Sequence, residues 1–159
     1  MKATRTQLAM AILLGVSATS ALAADVEVKD AWVRGTVTGQ KATGAFLEIT
    51  SKSGATLVGA ASPVAGVSEI HEMKMDGGIM KMRAVERLEL PAGKPVQLAP
   101  GGYHVMLLNL KQPLKRGDSV ALTLQVENPD KTVEAVQIKA EVRDLTATAT
   151  PAGEHQHQH

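Results

Sequence analysis

Val120-Ala121-Leu122-Thr123-Leu124-Gln125-Val126 alternates apolar and polar side chains without interruption. Successive side chains on a strand point to opposite faces, so Val120, Leu122, Leu124 and Val126 share one face that seeks burial. Asn128-Pro129-Asp130 then supplies a turn, because Pro presets its backbone angle and Asn and Asp bond to nearby backbone groups. Val136, Ile138, Ala140 and Val142 resume the alternation. Two half-buried strands joined in this way pair antiparallel, and they set the pattern by which the rest of the chain is read.

The same period recurs toward the N-terminus. Tyr103 to Leu110 is expected as a strand, preceded by a tight turn at Ala99-Pro100-Gly101-Gly102 with Pro second and Gly third. Val26 to Val33, Ala45 to Thr50 and Ala55 to Ala61 read as three further strands, with a short one at Leu88 and Leu90. Beyond the first two dozen residues no stretch keeps a helical period over three turns. Many short strands separated by Gly- and Pro-containing turns point to an all-β antiparallel sandwich or barrel.

Both ends of the chain differ from this body. Lys2 and Arg5 precede an uncharged run from Leu8 to Ala18, and Ala21-Leu22-Ala23 follows as a small-x-small site. Residues 1–23 are thereby expected to be a cleavable signal peptide for export to the periplasm, since a bilayer-spanning helix needs roughly 20 apolar residues. No later segment of the mature chain is apolar for long enough to span. Residues 24–145 form the expected single domain. Residues 146–159 carry no apolar pattern and read as a flexible tail ending Glu154-His155-Gln156-His157-Gln158-His159.

Removing two of the 17 basic residues with the leader leaves 15, against 16 acidic ones. A balance so near neutrality gives no footprint for nucleic acid or an anionic membrane. The chain has no cysteine and only three aromatic residues, Trp32, Phe46 and Tyr103. A thiol nucleophile, a Cys-based zinc site and a His2Cys copper site are thus excluded. No nucleophile–base spacing and no glycine-rich phosphate loop is present, so a carrier is favoured over an enzyme.

The chemistry-bearing stretch is Glu69-Ile-His-Glu-Met-Lys-Met-Asp-Gly-Gly-Ile-Met-Lys-Met-Arg83, which holds four of the seven methionines. Asp76-Gly77 favours a two-residue hairpin turn between Val67–Met75 and Ile79–Val85. With the turn there, Met73 opposes Met80 and His71 opposes Met82, placing imidazole and thioether on one face. Downstream, His104 and Met106 stand two apart on one strand and share a face. Thioether sulfur is soft and uncharged, and with neutral imidazole it suits Cu(I) over Zn(II), Mg(II) or Ca(II). Methionines on one strand face equally suit ordinary packing. Against packing stands the fact that each of the body's two histidines has a methionine on its own face.

The order His71, ten residues, Met82, twenty-one residues, His104, one residue, Met106 resembles the signature of the periplasmic copper chaperones called PCu(A)C. Similar, too, are Asp30-Ala31-Trp32-Val33-Arg34, His71-Glu72-Met73, Pro100 to Leu107 and Leu110-Lys111-Gln112-Pro113-Leu114. The resemblance implies a cupredoxin-like antiparallel β-sandwich or barrel of Greek-key type, holding Cu(I) through His71, Met82, His104 and Met106. It also implies delivery of copper toward the CuA centre of cytochrome c oxidase, alone or with a thiol-containing Sco-type partner. Met73 and Met80 are not signature ligands; they read as neighbours of the site, either accessory sulfur donors or packing. The tail resembles the His-rich extensions of some members, and His155, His157 and His159 alternate so as to point one way when extended, a spacing that chelates Cu(II), Zn(II) or Ni(II). Sequestration of copper, or a β-sandwich with the His/Met face as core, are the competing readings.

Overall fold

The computed structural model describes residues 25–144. The leader and the His155/His157/His159 tail lie outside the described residues. Ten strands follow in chain order: β1 (Val26–Arg34), β2 (Ala42–Ser51), β3 (Ala55–Ala61), β4 (Val67–Asp76), β5 (Ile79–Ala84), β6 (Leu88–Leu90), β7 (Val96–Leu98), β8 (Tyr103–Leu108), β9 (Ser119–Glu127) and β10 (Val133–Arg143). No helix occurs among the described residues, and so none long and apolar enough to cross a membrane. The all-β expectation holds.

The strands form one continuous hydrogen-bonded sheet in the order β5-β4-β8-β2-β1-β10-β9-β3-β6, with β7 pairing to β2 beside β8. Eight pairings are antiparallel, as expected, but β1 and β10 run parallel at Trp32–Glu141, Val33–Val142 and Arg34–Arg143. That pairing joins the two ends of the domain, and no local pattern announces it. Strand β7 was not foreseen either. Its three residues, Val96-Gln97-Leu98, alternate, but they are too few to stand out from the loop around them. Strand β1 bends at Asp30, where φ is +50° and the register to β2 slips between Lys29 and Trp32. A bulge of this kind sharpens the local twist.

One core fills the inside of the coiled sheet. Val120, Leu122, Leu124 and Val126 are buried, as their alternation predicts, beside Val33, Ile49, Leu57, Leu90, Leu98, Val105 and Leu107. On β10 only Ala140 and Val142 are fully buried, while Val136 and Ile138 are half covered. The core side of the β4–β8 pair is made by Ile70 opposite Val105. The next residues along, His71 and His104, therefore face away from the core.

The β4–β5 hairpin corrects the expected register by one step. Asp76 pairs with Ile79, so the turn is Gly77-Gly78, and Met75 opposes Met80, Met73 opposes Met82, and His71 opposes Ala84. A type I′ turn needs positive φ at both central residues. Gly77 (+59°) and Gly78 (+80°) adopt it without a Cβ clash, whereas a turn centred on Asp76-Gly77 would force an aspartate there. His71 and Met82 still share a face, but diagonally. Replacing both glycines with valine should cost about 1–2 kcal/mol per residue within the turn. Amide exchange in β4 and β5 near the turn should rise, with β9 unchanged; equal exchange in the tip would place the turn elsewhere.

Candidate metal centre

Four strands bring the site together on the outer face of the sheet. Strand β8 presents His104 and Met106, and β4 lies against it with His71 opposite His104 and Glu69 opposite Met106. Strand β5 adds Met82, opposite Met73 of β4. On the far side of β8, Gly44 of β2 lies opposite Met106. Here the missing side chain matters. A Cβ at Gly44 would stand 2.8 Å from Cζ of Phe46, so only glycine leaves room for that ring. Phe46 in turn packs on Trp32 with centroids 4.5 Å apart and lies 6.1 Å from the His104 ring. Phe46, backed by Trp32, flanks His104, which is 6% exposed although it faces away from the core.

The hydrogen bonds settle which ring nitrogens hold lone pairs. His104 Nδ1 lies 3.1 Å from the Gly102 carbonyl oxygen. A carbonyl only accepts, so Nδ1–H donates and the neutral ring keeps its lone pair on Nε2. That Nε2 stands 3.3 Å from Sδ of Met82. Neither atom has a hydrogen to offer the other, so two electron-pair donors face one another. His71 Nε2 lies 2.8 Å from Glu69 Oε2 and donates to it. The lone pair of the neutral ring is then on Nδ1, which is buried and has no hydrogen-bond partner among the described residues. An unpartnered buried polar atom costs about 1–3 kcal/mol unless something else engages it. The two rings are 5.8 Å apart between centroids.

An open cleft of about 340 Å³ runs along this face, and Met73, Met82, His104 and Met106 line it together with Phe46 and Arg34. His71 is not part of the cleft lining; it stands across the strand ladder from His104. Met80 sits further out on β5 opposite Met75. Among the described residues no three His, Asp or Glu side chains form a cluster able to hold a metal ion. The donor set is two imidazole lone pairs and several thioethers, which suits a soft cation better than a hard one. The reading of this face as core fails, because Met82 is 48% exposed and every residue of β5 is exposed.

Three features of the site went unread in the sequence. Glu69 was within reach of pattern, since it stands two residues from His71 on one strand face. Phe46 alternates with the core residues Ala45 and Leu47 and so reads as solvent-facing; its burial depends on Trp32 from the paired strand β1 and on the space left by Gly44 two residues away. Arg34 lies over the Phe46 ring, 5.3 Å from Cζ to centroid, with its Nε buried and without a partner among the described residues.

A family model described as "Putative lipoprotein LpqE-like" matches residues 26–142. "Putative lipoprotein Lxx21020" of Leifsonia xyli subsp. xyli is 35% identical over 115 residues, which is 72% of this chain and 69% of that one. The apo PCuAC domain from PmoF1 superposes with a TM-score of 0.61 at 24% identity, over 76% of this chain and 94% of that domain; at that identity the likeness concerns the fold. The solution structure of apo-DR1885 from Deinococcus radiodurans matches at 30% identity with a TM-score of 0.58, over 91% of this chain and 97% of its own. That of CuI-DR1885 matches at 28% and 0.60, over 84% and 87%.

Burial holds the pKa of His104 below the ordinary histidine value, and the nearby His71 and Arg34 push the same way, against the Gly102 hydrogen bond. The unfolded chain therefore takes up this proton more readily, so stability is fully present above roughly pH 6.5 and falls as the pH drops through that value. Glu127, held down to about 2 chiefly by hydrogen bonds from Arg87 and Lys131, loses its contribution only below its ordinary value of 4.5. Between roughly pH 5 and 6.5 the midpoint of thermal unfolding should fall in the metal-free protein, and fall less in His104→Gln. Equal slopes in the two proteins would contradict the burial argument.

Proposed function

The chain belongs to the LpqE-like, PCuAC family, and on that premise we propose that it is a copper carrier, holding Cu(I) through His71, Met82, His104 and Met106. The observation that carries the reading is the pair of facing donors, His104 Nε2 and Met82 Sδ, 3.3 Å apart with no hydrogen between them. A cation between or beside them turns two repelling lone pairs into two bonds. The unpartnered Nδ1 of His71 adds a third donor whose burial is otherwise a cost. Copper here is cargo. All four donors are neutral, so no ligand compensates the ion's charge, which favours a monovalent ion in a half-buried place.

Release fits the same geometry. Thioethers are weak, uncharged ligands that exchange without gaining or losing a proton, and Met82 is exposed on an edge strand. An incoming donor can displace it first while the two imidazoles still hold the ion. In this proposal the recipient is the CuA centre of cytochrome c oxidase, reached directly or through a Sco-type thiol protein. Residues 1–23 direct export to the periplasm, residues 24–145 carry the site, and the tail histidines His155, His157 and His159 gather Cu(II). With no cysteine in the chain, any reduction to Cu(I) draws its electron from outside. The function is that of a carrier, without a catalytic step of its own.

Competition with a chromogenic Cu(I) chelator tests the site. His71→Ala and Met106→Ala should each weaken Cu(I) binding by at least about tenfold, equivalent to ~1.4 kcal/mol. Glu69→Gln, which removes the carboxylate holding the His71 tautomer, should cost on the order of 10-fold. Unchanged affinity in the two alanine variants would remove the four-ligand site. Delivery is separately tested by mixing the copper-loaded protein with an apo CuA domain and following the CuA absorption bands. Metallation is the expected result, and failure to metallate either that domain or a thiol partner would leave sequestration as the role.

A further inference from the structure

The β4–β5 hairpin has two faces of opposite chemistry. One carries Glu72, Lys74, Asp76, Lys81 and Arg83, tied by ion pairs between Lys81 and Asp76 at 2.7 Å and between Arg83 and Glu72 at 3.0 Å, with a single apolar residue, Ile79, opposite Asp76 at the tip. The other carries His71, Met73, Met75, Met80 and Met82. Every apolar side chain on this second face between His71 and Ala84 is a methionine. Among the described residues no core lies beneath Met75 and Met80. The register with β8 ends at Glu72–Tyr103, and past it only a bond from the Met73 amide to the Gly102 carbonyl remains. Met75 is 59% and Met80 45% exposed, so packing explains neither.

The sulfurs descend in pairs. Met75 opposes Met80 at the tip, and Met73 opposes Met82 one step inward, where Met82 meets His104. Directly opposed residues hold their Cβ atoms ~5 Å apart, and same-face neighbours on a strand are ~7 Å apart. Three flexible thioethers at those spacings can close on one ion, and soft sulfur selects a soft monovalent one.

We propose that Met75, Met80 and Met73 form an outer thioether site for Cu(I), through which the ion passes between the hairpin tip and the inner His/Met site. The proposal rests on the copper reading of that inner site. Each step exchanges one neutral donor for another, thioether or neutral imidazole, so no electron moves with the ion, and no proton once the imidazoles are neutral. The outer site has no imidazole and is more exposed, and therefore binds more weakly than the inner one. The gradient loads the inner site first and lets an acceptor at the tip draw copper outward.

The test uses the full chain with 13C-labelled methionine methyl groups, titrated with Ag(I) as a redox-inert stand-in for Cu(I). This readout is blind to histidines in the tail. The first equivalent should move the Met82 and Met106 methyl signals, and the second those of Met75 and Met80, at an affinity at least about tenfold lower. In Met75→Leu/Met80→Leu, which preserves volume on an exposed face, first-equivalent affinity should be unchanged. Cu(I) uptake from a chelator by that variant should slow several-fold. Methyl signals of Met75 and Met80 that stay fixed through the second equivalent, or uptake as fast as in the parent protein, would overturn the outer site alone. If Met82 and Met106 do not respond to the first equivalent, the inner site falls and this proposal with it.

Discussion

The register of β4 against β8 is the constraint on which the rest of the site depends. Ile70 meets Val105 on the core side, and both are buried. Because side chains alternate, that contact alone puts His71 opposite His104 on the other face. A slip of β4 by one residue would send His71 into the core and expose Ile70. The hydrophobic effect thus holds the histidine pair in place from behind, without any bond between the histidines themselves. A directing force of this kind tolerates an open front, and a carrier needs one.

The polar groups around the rings complete what the register begins. Each ring spends one nitrogen on an acceptor that cannot donate back: Glu69 for His71 and the Gly102 carbonyl for His104. In the neutral rings the remaining lone pairs therefore lie on His71 Nδ1 and His104 Nε2. Phe46, admitted by Gly44 and backed by Trp32, closes one side of His104 and lowers its proton affinity. Burial that discourages a proton preserves a lone pair at neutral pH, so the same desolvation that costs stability in acid would serve ligation in the proposed carrier.

The hairpin stands outside this economy. Its six-residue outer strand is exposed throughout, and its charged face is laced by ion pairs that contribute little to stability at a surface. What the arm would provide in the proposed transfer is reach. Gly77-Gly78 turns it tightly, and its methionine face continues the line of the inner site toward solvent. Methionine here is both useful and exposed to risk, since conversion to sulfoxide would replace a soft donor with a polar group.

Much of this was legible in the chain itself, for a physical reason. Strand alternation is a local property, so Val120–Val126 and Tyr103–Leu107 announced their faces, and the donor types His and Met carry their softness wherever they sit. Even the pairing of His104 with Met106 needs only the two-residue period of a strand. The turn was misplaced by one residue because Asp-Gly and Gly-Gly are adjacent, and only the steric freedom of both glycines decides between them. Which strands become neighbours is a different kind of fact. The parallel meeting of β1 with β10, the opposition of His71 to His104 and the cover that Phe46 gives His104 all join residues far apart in the chain. They are set by how the whole sheet buries one core. The sequence by itself determined the all-β architecture and the soft donors; only the tertiary structure decided that those donors meet, and with which atoms.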